Sequence, residues 1–200
     1  MKKLILTLAI FFNFCANAQS IVDICSGESL FDLPTGSYRK DINNELNKFN
    51  GTWIWTNGSD VVTFKLQKVI NQYFTEYDAY GDYMIGNYKY TKNNGSIEVV
   101  NTILTPSKFN FAGNLLPQFH PMYAICPENE TTINFTFEDI NLNKRYCEAI
   151  FEFLPGSTTQ MKLTQKNRGT HGVEVNEGDP IPVFNPDFTI PNEIVLTKQP

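Results

Sequence analysis

Histidine is scarce in this 200-residue chain, which has only His120 and His171. The spacings that organise catalytic or metal chemistry are missing as well. There is no HExxH, no GxSxG, no glycine-rich phosphate loop after a strand and no CxxC. A metal site would need carboxylates for nearly every ligand. Glu174, Glu177 and Asp179 lie close together but lack the ordered spacing of a calcium loop. No metal, no cofactor and no catalytic residue is therefore expected, and the chain is read as non-enzymatic. Basic clusters are also missing: 16 Lys and Arg stand against 21 Asp and Glu, for a net charge of −5. That balance argues against nucleic acid as a partner. No window of 12 or more residues carries convincing helical periodicity.

Long apolar runs are confined to the start. The segment MKKLILTLAIFFNFCANAQ has basic Lys2 and Lys3, an apolar stretch from Leu4 to Phe14, and Ala16-Asn17-Ala18 before Gln19. This is the layout of a secretory signal peptide, expected to be cleaved after Ala18. The apolar stretch is shorter than the roughly 20 residues that span a bilayer. Phe14 ahead of Cys15 disfavours a lipoprotein. Cleavage would leave 182 residues with a formal charge of −7, because residues 1–18 hold two Lys and no acid. The expected destination is the periplasm or the outside medium. The expected organisation is 1–18 signal peptide, 19–48 an N-terminal segment with a short helix over Tyr38–Phe49, and 49–200 a single β-domain.

What is present in quantity is alternation. After Gly51, segments near 52–57, 61–69, 83–92, 96–103, 131–138, 146–153, 159–165 and 193–198 alternate apolar and polar residues, as half-buried antiparallel strands do. Asn57-Gly58 and Asn94-Gly95 mark hairpin turns, and Pro155-Gly156 suits a type II turn. Eight sequential antiparallel strands predict an all-β, single-domain, up-and-down barrel, with a two-sheet sandwich as the alternative. Strand direction places 70–82, 104–130 and 154–158 at the base, joined by the N-terminal segment. It places 58–60, 93–95, 139–145 and 166–192 at the top.

That sorting decides the cysteines. Cys147 would pair near Phe137 at the top, more than about 20 Å from Cys126 at the base, against a limit of about 7 Å between bridged Cα atoms. Cys25 and Cys126 share the base and are expected to form a disulfide in an oxidising compartment, leaving Cys147 a buried thiol. The 27-residue run from Lys166 to Asn192 is read as either a lid over the mouth or a strap on the wall.

The stretch KFNGTWIWTNGSDVVTFKL carries both tryptophans, Trp53 and Trp55, on one face. Gly51-Thr52-Trp53 opens the first strand and resembles the G-x-W motif of lipocalins and their calycin relatives. The resemblance implies a lipocalin-like barrel whose base is closed by the Trp, with a basic residue of the last strand packed across the indole; here that residue is Lys198. The chain departs from the pattern in lacking a second motif of the T-D-Y kind and a helix after the last strand. The leader, GTWIW, GDYMIGNYKYTKNNG (81–95) and EIVLTKQ together resemble a family of small secreted bacterial proteins known only as a domain of unknown function, which implies no activity.

Two functions follow as expectations. In the first, the barrel binds a small apolar molecule lined by Trp55, Phe64, Tyr88, Tyr90, Phe135 and Phe151, with the tyrosine hydroxyls orienting it. In the second, the barrel is filled, with 16 Phe and nine Tyr available to fill it. The protein is then an interaction module, an inhibitor or envelope-assembly factor, with a protein partner. Tyr77, Tyr80 and Tyr83 are read as covering the base rather than forming a sugar platform, with Gly81-Asp82 as a turn. Glu148 and Glu152 are read as an exposed face rather than a catalytic pair.

Overall fold

The computed structural model describes residues 19–103, 121–142, 144–167 and 187–200. Eleven strands are formed: β1 (Ile21–Asp23), β2 (Tyr38–Lys40), β3 (Gly51–Asn57), β4 (Asp60–Phe74), β5 (Ala79–Lys92), β6 (Ile97–Asn101), β7 (Met122–Ala124), β8 (Thr132–Asp139), β9 (Lys144–Phe153), β10 (Gln160–Lys166) and β11 (Ile194–Lys198). Eight of them close a ring of antiparallel neighbours in the order β3, β4, β5, β7, β8, β9, β10 and β11, with β11 returning to β3 through Thr197↔Ile54 and Lys198↔Trp53. The closed eight-stranded barrel is the fold that the alternation implies, and the sandwich alternative is set aside. Closure removes the open edges that would otherwise recruit other strands.

The turns follow their residues. Ser157 N–H bonds to Leu154 O across Pro155 and Gly156, and Gly156 takes φ 72°, as a type II turn demands. Asn93, Asn94 and Gly95 all take positive φ between β5 and β6. At the first hairpin the loop is Gly58-Ser59, because Asn57 still pairs with Asp60.

Three expectations need correction. Residues 70–82 are not a base loop: β4 and β5 run on past a bulge between Val69 and Gln72 to the tip at 75–78. Gly81-Asp82 is therefore inside a strand, not a turn. Gly81 has a physical reason to be there, since a Cβ would lie 2.9 Å from the Phe74 ring. Tyr38–Phe49 is not a helix. It begins as strand β2 and continues as turns, in which Leu46 and Phe49 are fully buried while Ile42 is half exposed. Among the described residues the only helical turn is a 3-10 turn at Leu30–Asp32.

The fourth stave is interrupted rather than continuous. β6 pairs with Lys89–Lys92 of β5, Thr102 N–H bonds to Tyr88 O, and β7 resumes at Met122↔Gly86 in the same direction. The described chain lies on this stave as β6 and again, nearly in register, as β7. Below β7 the same edge of β5 is taken by β2, in parallel through Tyr38↔Tyr80 and Arg39↔Gly81, and β1 adds parallel to β2. The lower halves of β4 and β5 with β2 and β1 make a four-stranded wing below the barrel.

Candidate functional site

The interior candidates belong to one packed cluster. Phe64, Tyr88, Tyr90, Phe135 and Phe151 are buried, and Trp55 is half-buried against them. Ring centroids lie 5.2 Å apart for Phe64–Phe151, 5.4 Å for Phe135–Phe151 and 6.1 Å for Phe64–Tyr88. These are packing distances of aromatic pairs. The hydroxyls offered to a ligand are already used: Tyr88 donates to Glu138 O at 2.9 Å, and Tyr90 donates to Asp60 Oδ2 at 3.0 Å.

Burial pushes the Tyr88 hydroxyl well above the ordinary tyrosine range. Tyr83 is raised by burial, and Tyr38 by burial and then by its hydrogen bond to Asp82. A phenol whose neutral form is favoured by the fold contributes stability that is complete below the unfolded value of about 10. Above that pH the unfolded chain releases protons that the folded one retains, so stability falls, by about 1.4 kcal/mol per pH unit for the fully buried Tyr88. An ultraviolet titration is expected to show these three tyrosines ionising only as the protein unfolds, in a cooperative alkaline step. Smooth ionisation of all the tyrosines in the folded state near pH 10 would contradict it.

Described side chains lie across both ends of the barrel. At the base, Trp53 is fully buried, donates Nε1–H to Phe49 O at 2.8 Å and meets the Phe153 ring at 5.9 Å. Lys198 Nζ stands 5.2 Å from the indole and bonds to Lys48 O at 3.1 Å. Its stem crosses Gly51, where a Cβ would lie 2.9 Å from Lys198 Cε at φ 136°, so only glycine fits that position without strain. At the top, Ile190 is buried in the core and Phe188 packs on Phe137. Asp139 holds Thr189 through its N–H (2.6 Å) and hydroxyl (2.7 Å), and Gln165 donates to Ile190 O at 3.0 Å. The end of the 166–192 run is therefore fastened into the mouth. Arg168, His171, Glu174, Glu177 and Asp179 lie outside the described residues, as does His120.

The wing is held by a polar network that sequence reasoning missed. Asp82 Oδ1 accepts from Tyr38 hydroxyl (2.6 Å) and Asn71 N–H (2.8 Å), and Oδ2 from Asp41 N–H (3.0 Å). Asp41 in turn accepts from Glu45 N–H, Leu46 N–H and Lys68 Nζ, the last at 2.6 Å. A buried ion pair is tolerated when further hydrogen bonds satisfy it, as here. One signal was readable: Asp82 sits on the inward side of the Met84, Gly86, Tyr88 alternation, where a carboxylate needs partners.

The expected tyrosine cover separates onto two faces. Tyr83 is buried with Phe74 and Ile85 on one side. On the other, register pairs align Ile21, Tyr38, Tyr80 and Tyr73 in one row across four strands. This row is exposed at its ends, 54% at Ile21 and 38% at Tyr73, and Ile70 (65%) and Ile42 (50%) flank it. Asp82 binds the amides of Asn71 and Asp41, the chain neighbours of these two isoleucines. Phe31 (73%) meets Tyr77 edge-on at 4.4 Å.

The sulfurs of Cys25 and Cys126 are bonded, joining the end of β1 to the chain after β7, and Cys147 is a buried free thiol. Glu148 accepts from Asn134 at 3.2 Å, and Glu152 is exposed. Among the described residues no three His, Cys, Asp or Glu side chains group as metal ligands, and no helix is long and apolar enough to cross a membrane.

The family of unknown function DUF6705 matches residues 1–199. The chain belongs to DUF6705. No curated protein and no solved structure matches this DUF6705 chain, so its likeness to lipocalins rests on Gly51, Trp53, Lys198 and the strand count alone.

Proposed function

We propose that this DUF6705 protein is an exported, non-enzymatic interaction module, in which the barrel is a filled scaffold and the wing is the contact surface. The observation that carries this reading is how the large hydrophobic groups sort. The six interior candidates pack against one another, while Ile21, Phe31, Ile42, Ile70 and Tyr73 are exposed on the wing and the N-terminal segment that flanks it; Ile97, Ile125, Leu142 and Val195 are exposed singly elsewhere on the chain. A gathering of exposed apolar groups at one end marks an interaction site more often than scattered ones do. The leader and the Cys25–Cys126 bond support export to an oxidising compartment.

Native mass spectrometry of the oxidised protein tests the scaffold. The expected species is the bare chain, two protons lighter than the reduced form. A bound mass that leaves on denaturation would return the function to the barrel interior and to a small apolar ligand.

A further inference from the structure

Among the described residues the wing ends in a strand, β1, that pairs on one side only. In the parallel pairing of β1 with β2, Tyr38 N–H bonds to Ser20 O and Ile24 N–H to Lys40 O. That alternation turns the amide and carbonyl of Ile21 and the amide of Asp23 away from β2. Asp23 O closes a turn to Ser26 N–H. Among the described residues no strand lies beyond β1. The side chains of Ile21 and Asp23 point to the same face as the row Ile21, Tyr38, Tyr80 and Tyr73, with Lys40 beside Asp23.

We infer that the free edge of β1 receives an extended segment of another polypeptide, with an apolar residue beside Ile21 and a cationic residue two positions away beside Asp23. This rests on the reading of the wing as a contact surface and names what it takes. Strand addition is the one mode that uses both the outward main-chain groups and the apolar row that ends at them. A lipid surface would leave the amides of Ile21 and Asp23 unused. A second copy fits poorly, because antiparallel self-pairing about Val22 sets Ile21 opposite the carboxylate of Asp23. Cross-strand neighbours of that kind do not stabilise a sheet. The cationic position follows from the acidic balance of the chain and from Asp23, a part-exposed carboxylate that accepts from Cys25 N–H at 2.7 Å and Asn43 Nδ2 at 3.4 Å and keeps lone pairs for a further cation.

The probe is the palindromic peptide acetyl-Thr-Lys-Thr-Val-Thr-Lys-Thr-amide, which sets valine beside Ile21 and lysine beside Asp23 in either strand direction. Hydrogen exchange on the oxidised full chain is the readout. Saturating peptide is expected to slow exchange at the Ile21 and Asp23 amides by roughly tenfold or more. The same peptide with glutamate for lysine is expected to bind roughly tenfold more weakly at low salt. Ile21→Pro removes an amide that makes no bond within the wing, so it is expected to abolish binding while the fold persists. Should that variant fold poorly, a probe N-methylated at alternate residues makes the same test from the partner's side.

Unchanged exchange at millimolar peptide, or equal binding by the N-methylated probe, would overturn strand addition. If Ile70→Asp and Tyr73→Ala abolish peptide binding while Ile21→Pro does not, the inference fails and the wing stands as a contact surface. If the peptide protects amides only at the top of the barrel, both fail.

Discussion

Trp53→Ala is expected to cost about 3–5 kcal/mol of folding stability, read from the urea midpoint. The indole is fully buried at the base, between the Phe153 ring and the ammonium of Lys198. Truncation leaves a cavity, orphans the Phe49 carbonyl that accepted its N–H, and strips the Lys198 stem of the surface it crosses. Milder changes divide the effect. Trp53→Phe keeps an aromatic face and loses the hydrogen bond, about 1–2 kcal/mol including the imperfect fit. Lys198→Met keeps the stem and loses the charge, about 0.5–2 kcal/mol. The two side chains are register partners, so the double variant is expected to cost less than the sum of the singles. Full additivity would mean that the ammonium does not act on the ring, and Lys198 would then be a surface residue that happens to lie close. A Trp53→Ala loss below about 1 kcal/mol would show that the base is closed by Leu46 and Phe49 without the indole.

How much of this the residues announce depends on whether a feature is local. The barrel staves are local: β8, β9 and β10 show an uninterrupted period of two, and Pro155-Gly156 forces its turn. The pairing of Gly51, Trp53 and Lys198 was accessible only because a three-residue motif suggested where the last strand returns. The wing was not accessible. Its strands β1 and β2 are three residues each and carry no period, and the partner of β2 in β5 lies some forty residues away. The same holds for the fourth stave, whose two halves are separated by residues 104–121. Alternation can be read within a strand but not across an excursion. The interior is the least legible part, because aromatic residues suited to line a cavity are the same residues that fill one. Whether Phe64, Phe135 and Phe151 touch is a matter of barrel radius and rotamer, and neither is written in the order of residues.

Converting Cys25 and Cys126 to serine together is expected to cost about 4–5 kcal/mol, because the bond spans a sequence separation of 101 and removes that much chain entropy from the unfolded state. The contrary possibility is that the N-terminal segment detaches alone. β2 holds β5 by only two register pairs, and among the described residues β1 pairs only with β2, so the outer wing is weakly held by backbone bonds. Side chains argue for a single unit. Ile24, Leu46 and Phe49 of this segment are buried in the barrel core, and Asp41 and Tyr38 share the Asp82 and Lys68 network with β4 and β5. Unfastening the segment would uncover the base of the barrel and leave the Asp82 carboxylate with the Asn71 amide in place of three donors. One cooperative transition at lower urea, with residues 19–49 and the barrel strands losing exchange protection together, is therefore the expected behaviour of the serine variant. Two transitions, with the barrel strands nearly as stable as before, would show that the disulfide secures the wing alone. The surface that carries the free edge of β1 would then be a module that reduction could release from the scaffold.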